Sequence, residues 1–433
     1  MSFQQGLSGL NAASKSLDVI GNNVANTNTI GYKQSRAEFS DVYAASLSGA
    51  GSTNIGLGTQ VAAVTQQFTQ GNITASNNPM DVAINGRGFF RMSQNGAISY
   101  TRNGQFQVDK NNYIVDSRGL QLTGFALDPI TGVINTSTPA PLKLDTGDQP
   151  PLATGTATTN QGISAQLNLD SRNAIIAAPF NFQDPSTFNQ STSLAIYDSQ
   201  GNPYSQTLYF KKTATNTWNV YSTVTNPLGN TISVPDPTDQ TVALTKLVFK
   251  TNGTILSGGT VASLTVPADP GVGTPANFIV LSGADIVFPV SFAGTSQYGA
   301  SFGVNALSQD GYSSGKLTGI AIGSDGFIKG RYTNGQSKDL GQVTVTNFQN
   351  PQGLQPLGNN QWAETSASGN AVPVAGVPGT GSLGALQASA VEDSNVDLTA
   401  ELVNMITAQR VYQANAQTIK TQDAVLQTLV NLR

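Results

Sequence analysis

The 433-residue sequence contains no cysteine and no histidine. The first absence removes thiol nucleophiles and disulfides, and the second removes histidine-based triads and most zinc sites. Charge is scarce too: Asp, Glu, Lys and Arg make up 11% of the chain, well under the usual quarter. The formal net charge is −4 and no basic patch stands out, which argues against nucleic-acid binding. Only four glutamates occur, Glu38, Glu364, Glu392 and Glu401. No run approaches the roughly 18 apolar residues of a membrane span. The start, MSFQQGLSGLNAASK, has no basic opening, apolar core or small-residue cleavage site, so it does not read as a cleaved leader. What is abundant is Gly, at 45 residues, with Thr, Ser, Asn and Gln. That composition fits a β-rich, turn-rich chain of extracellular type.

The two ends read as helix. Phe3, Leu7, Leu10, Ala13, Leu17, Ile20 and Val24 recur at spacings of three and four, one stripe of a helix roughly 33 Å long. It runs into "NNVANTNTIGYK", where Asn22, Asn23, Asn26 and Asn28 crowd together. Asparagine favours caps and turns over helix interiors, Gly31 permits a bend, and Tyr32 can anchor the next segment. At the other end Leu398, Leu402, Met405, Gln409, Tyr412, Ala416, Ile419, Asp423, Leu426 and Val430 alternate at four and three, a heptad seam. Ser394 or Asn395 is the expected N-cap, with Asp397 in the first turn. Val403, Ile406, Val411, Val425, Leu429 and Leu432 lie off that seam. A helix apolar on more than one face wants more than one neighbour. Two readings stay open on pattern alone: packing against other subunits, or a helical hairpin on the chain's own β-domain.

Between the helices the signals are β. Asn85-Gly86, Asn95-Gly96 and Asn103-Gly104 are hairpin dipeptides, and TSLAIYD, QTLYFKK, WNVYSTV and LTKLVFK are strand-like. Phe89, Phe90, Phe106 and Tyr113 sit in such runs and read as core. Catalytic chemistry finds little support. Glu392 and Asp393 precede a predicted helix, where negative charge suits the helix dipole. The short glycine turns lack a phosphate-loop lysine, and the Asp-Gly turns lack calcium-loop spacing. Neither cofactor nor metal is expected, and the site list becomes an interface list. Its N-terminal part is Phe3, Leu7, Leu10, Leu17, Ile20 and Val24. Its C-terminal part is Leu402, Met405, Ile406, Tyr412, Ile419, Leu426 and Val430. The connector motif is Asn22, Asn23, Asn26, Gly31 and Tyr32. Gln413, Gln417 and Gln427 are candidates to face a channel.

The stretches LNAASKSLDVIGNNVANTNTIGYKQSRAEF and SNVDLTAELVNMITAQRVYQANAQTIKTQDAVLQTLVNLR resemble the two terminal motifs of the flagellar rod, hook and hook-associated axial proteins, in the right order. DVAINGRGFFRM, YTRNGQFQVD and GLQLTGF are similar to the first β-domain of the rod and hook members, and SLAIYDSQGNPYSQTLYF to an outer domain of the hook branch. The resemblance implies a multidomain α+β fold. Residues 1–25 and 392–433 would form a helical coiled-coil inner domain, with connectors at 26–71 and 367–391. A discontinuous inner β-domain would span 72–145 and 290–366, and an outer β-domain 146–289, both mainly antiparallel. It implies a non-enzymatic subunit that self-assembles helically into a curved hollow tube, a universal joint carrying motor torque to the filament. Implied partners are other copies of the chain, the distal rod protein, the hook cap protein, the hook–filament junction protein and the flagellar type III export apparatus. No nucleic acid and no membrane insertion are expected, and the implied location is extracellular, at the hook of the bacterial flagellum, reached without a cleavable signal. Tyr43 to Gln60 is longer than the shortest family versions and could form a flap. The alternatives carried are a secreted adhesin with trimerising helices, a distal rod protein of the same family, and, least supported, an aspartate-based glycan-cleaving enzyme.

Overall fold

The computed structural model describes residues 2–42, 56, 58–128, 133–136, 138–158, 161–268, 278–372 and 376–431. Most of residues 43–60, where a flap is expected, and the last two residues lie outside these. The chain divides into two compact units. The first comprises residues 1–146, 319–331 and 337–433, the second residues 147–318 and 332–336.

Two helices belong to the first unit, α1 (Ser2–Ala25) and α2 (Leu398–Asn431). The expected caps of α2 are replaced by Asp397. Its Oδ1 accepts from the backbone N–H of Thr399 at 2.9 Å and of Ala400 at 3.1 Å, the usual satisfaction of orphan donors at a helix start. Ser394 and Asn395 lie too far upstream to reach them, and Asn395 is used elsewhere. The helices run antiparallel, shown by three levels of contact. A methyl group on Gly6 would meet Ile419 Cγ1 at 3.1 Å, one on Gly9 would meet the Asn415 amide at 2.8 Å, and Asn23 reaches Glu401. Glycine costs helix stability but lets backbones approach, and here it brings α1 close to α2.

After α1 the chain forms an antiparallel hairpin, β1 (Ser35–Val42) with β2 (Gly58–Gln66), bulged between Glu38 and Phe39. It packs on α1: Gln5 Nε2 donates to Gly56 O at 2.6 Å, and Thr59 N donates to Ser8 Oγ at 3.3 Å. The remainder of the first unit is built on a twelve-stranded sheet. Along it Ser337–Val343, Gln121–Ala126, Phe89–Gln94, Ala97–Thr101 and Gln361–Ala363 pair antiparallel in turn. Alternation places Phe90, Met92, Leu122 and Val343 in one buried cluster, which also takes Val82, Ile84 and Leu386 from a neighbouring two-stranded sheet, 82–85 with 385–388. A separate aromatic cluster joins Phe89, Tyr100, Phe348 and Trp362, with edge-on pairs such as Tyr100–Phe348 at 4.8 Å between centroids.

The second unit is a pair of sheets around one core. Gln190–Tyr197, Pro203–Ala214, Thr217–Thr225 and Thr245–Phe249 form an antiparallel meander. Ile163–Asp170 anchors the other sheet, antiparallel to Gly303–Gln309 and parallel to Ile286–Ser291 and Ser296–Tyr298. Period-two alternation points Ile163, Ala165, Leu167 and Leu169 inward against Leu208, Phe210, Trp218 and Val220. Sequence reading put the return to the inner domain near residue 290. Here the chain stays in the second unit to Thr318, because Gly303–Gln309 is needed to pair with Ile163–Asp170.

Candidate assembly surface and its joint

The predicted interface residues fall into two sets. On α1, Ile20 is buried, Leu10, Leu17 and Val24 are half-buried, and Phe3 and Leu7 are exposed. On α2, Met405 and Ile419 are half-buried, while Leu402, Ile406, Tyr412, Leu426 and Val430 are exposed, Val430 at 73%. The face of α2 turned to α1 therefore follows the heptad seam only in part. It runs through Glu401, Met405, Ala408, Asn415, Ala416, Ile419 and Gln422, the positions that lose exposure, of which Met405, Ala416 and Ile419 belong to the seam. That leaves Leu398, Leu402 and Ile406 as a row on one flank, Val403 and Val425 turned away from α1, and Val411 exposed at the edge of the contact. The candidate channel residues Gln413, Gln417 and Gln427 are also exposed. Between α1, the hairpin and α2 lies a groove of about 890 Å³, lined by Ala12, Val19, Phe39 and Val411 among others.

The connector motif is a compact turn. Asn26 Nδ2 donates to the Asn22 carbonyl at 2.9 Å and to Asn22 Oδ1 at 2.6 Å. Asn23, only 1% exposed, holds more distant groups. Its Nδ2 donates to Ser35 O at 2.8 Å and Glu401 Oε2 at 3.3 Å, and its Oδ1 accepts from Ser35 N at 2.9 Å and the Tyr32 hydroxyl at 3.2 Å. Gln34 Nε2 completes this group by donating to Glu401 Oε1 at 2.7 Å. Burial pushes the Tyr32 hydroxyl pKa up, with Glu401 adding to the effect. Gly31 has φ +70°, and a Cβ there would sit 2.7 Å from Asn103 N. Asn395 reaches across as well: its Oδ1 accepts from Gln34 N at 2.7 Å, and its Nδ2 donates to Gln67 O at 2.8 Å.

Sequence reading missed a buried cluster of three charges. Glu392, assigned to the helix dipole, has a fully buried side chain paired with Lys33 Nζ at 2.7 Å and Arg102 Nη1 at 3.2 Å. Arg102 also donates to Gly86 O at 2.8 Å and lies 5.5 Å from the Phe89 ring centroid. Burial lowers the pKa of Lys33 and of Arg102, and in both cases Glu392 opposes the shift. The available signal was scarcity. In a chain with four glutamates, Glu392 and Glu401 are both almost wholly buried, and buried charge must be paired. Among the described residues no group of three or more acidic side chains could hold a metal ion. No described helix is long and apolar enough to cross a membrane.

Comparison with known proteins agrees along the chain. Residues 3–33 match the family "Flagella basal body rod protein", 83–164 "Flagellar hook protein FlgE/F/G D1 domain", 168–312 "Flagellar basal body protein FlaE D2 domain" and 387–432 "Flagellar basal body rod FlgEFG protein C-terminal". The flagellar hook protein FlgE of Salmonella typhimurium is 43% identical over 443 residues, and that of Escherichia coli K12 40% over 444, each alignment covering all of both chains. The crystal structure of Helicobacter pylori FlgE2 shares the fold, with TM-score 0.52 at 14% identity over 74% of this chain and 100% of that one. The chain therefore belongs to the flagellar hook protein family, structural proteins of the bacterial flagellum rather than enzymes.

Proposed function

We propose that this chain polymerises helically with copies of itself through α1 and α2, forming the curved hollow tube of the hook, a universal joint between motor and filament. The observation that carries the reading is the apolar surface α2 leaves open. One antiparallel partner covers one face, while Leu398, Leu402, Ile406, Val403, Val411 and Val425 stay exposed. Burying the remaining exposed part of each is worth about 1 kcal/mol, so a second and a third neighbour gain several kcal/mol from this helix alone. In this arrangement the terminal helices form the inner layer, residues 26–71 and 367–391 connect it outward, and the two β-units lie at larger radius. Growth at the tip would involve the distal rod, hook cap and hook–filament junction proteins, after passage through the flagellar export apparatus without a cleaved signal. The test is a chain ending at Asp397. Its β-units should unfold as in the full chain while electron microscopy shows no tubes. Tubes formed by the shortened chain would refute the assignment.

A further inference from the structure

The chain crosses between the helix-and-hairpin layer and the β-sheets of the first unit twice, at residues 67–72 and 390–397, and turns from α1 into the hairpin at residues 26–34. In chain order these are three passages, 26–34, 67–72 and 390–397, and all three meet at one carboxylate. Glu392 lies in the third. Its backbone carbonyl accepts from Gly31 N at 2.8 Å and its Oε1 from Lys33 Nζ at 2.7 Å, both in the first. Oε1 also accepts from Gly71 N at 3.0 Å, in the second, and Lys33 Nζ donates again to Thr69 O at 2.7 Å. Arg102, the third member, is fixed to the sheets through Ile84 O at 3.3 Å and Gly86 O at 2.8 Å. We propose that Glu392 is a positioning residue that clasps the helical layer to these sheets, so that torque entering one is delivered to the other at a fixed angle.

The physical argument rests on how such a group responds to change. A buried ion pair adds little net stability over a well-packed apolar substitute, but removing one partner strands a charge in low dielectric. With two cations sharing one carboxylate, loss of Glu392 strands both. The clasp is thus either closed or expensive to open, which suits a rigid coupling better than a graded contact. Apolar packing here could slide, whereas directional bonds from three segments to one side chain cannot.

Only the torque clause depends on the chain being a polymerising hook subunit, so the experiment has two separable arms. In the first, amide hydrogen exchange is measured on full-length Glu392→Gln, Lys33→Met and Glu392→Gln/Lys33→Met chains. Exchange at 26–34, 67–72 and 390–397 should rise at least tenfold in Glu392→Gln, with residues 190–225 unchanged. The double variant should exchange more slowly than the product of the single effects, because fewer charges are stranded. Unchanged exchange at the passages, or strictly multiplicative effects, would overturn the clasp. If Glu392→Gln does not fold, Glu392→Asp keeps the charge on a shorter arm and should give a smaller rise confined to the same passages. A rise spread evenly through 82–126 would count against it. In the second arm, tubes of the variant that folds should twist more easily under applied torque than the parent's. Equal torsional stiffness despite altered exchange would overturn the torque clause and leave the clasp standing.

Discussion

Single residues set the geometry of the joint and offer its sharpest tests. Tyr100 is buried with its hydroxyl 3.1 Å from Glu364 Oε2. Burial and that carboxylate push its pKa from 10.0 up to about 12. A raised acid stays neutral in the folded state, so its contribution is complete below pH 10 and is lost as pH climbs toward 12. Absorbance titration of tyrosinate should show a component near pH 12 that Tyr100→Phe removes. Gly31→Ala meets both a positive φ and a backbone atom at 2.7 Å. It should cost about 1–3 kcal/mol from strain alone, with the clash adding to this, measured by denaturant midpoint. The asparagine run shows what composition can and cannot convey. Its turn-forming character was legible at Asn22 and Asn26, which bond to each other. Asn23 was not, since its partners Ser35 and Glu401 come from elsewhere in the fold.

At the scale of elements, both helices were legible because their periodicity is local. The face on which they pair was legible only in part, at Met405 and Ile419, because a heptad reading ranks residues by hydrophobicity while the close approach is set by Gly6, Gly9 and Asn415. Small residues carry no apolar signal, yet they decide how near two helices come. The exposed row of α2 can be tested without disturbing that contact. Leu402→Lys/Ile406→Lys should leave circular dichroism and melting within about 0.5 kcal/mol of the parent, as surface changes do, while raising the concentration needed for tube formation at least tenfold. Gly9→Leu should act on the pairing itself, displacing α2 and speeding hydrogen exchange along residues 401–419.

For the whole molecule, the β character could be read from the turn dipeptides and strand-like runs, whereas the division into two β-domains came only from the family resemblance. The exit from the second unit was misplaced, since a strand's partner cannot be read from its own residues: Gly303–Gln309 resembles any short strand until Ile163–Asp170 is seen beside it. The chain carries two tryptophans, Trp218 buried in the second unit and Trp362 in the first. Each unit thus has its own fluorescent reporter. Trp362→Phe and Trp218→Phe chains should give denaturation curves with different midpoints, because separate cores need not melt together. Superimposable curves would show a single cooperative block.

The pairing of α1 with α2 has a consequence in time. Residues near the start of the chain, Gly6 and Gly9, have their partners at Ile419 and Asn415, more than 400 positions away. A subunit delivered amino end first would leave its leading helix single until almost the last residue had emerged. Most of a helix's stability in a protein comes from packing its amphipathic face, so the surface that recruits neighbours would mature only when delivery is finished. Fragments stopped short of residue 398 would then be refused by the growing structure without any separate inspector, their incompleteness being the very thing that keeps them out.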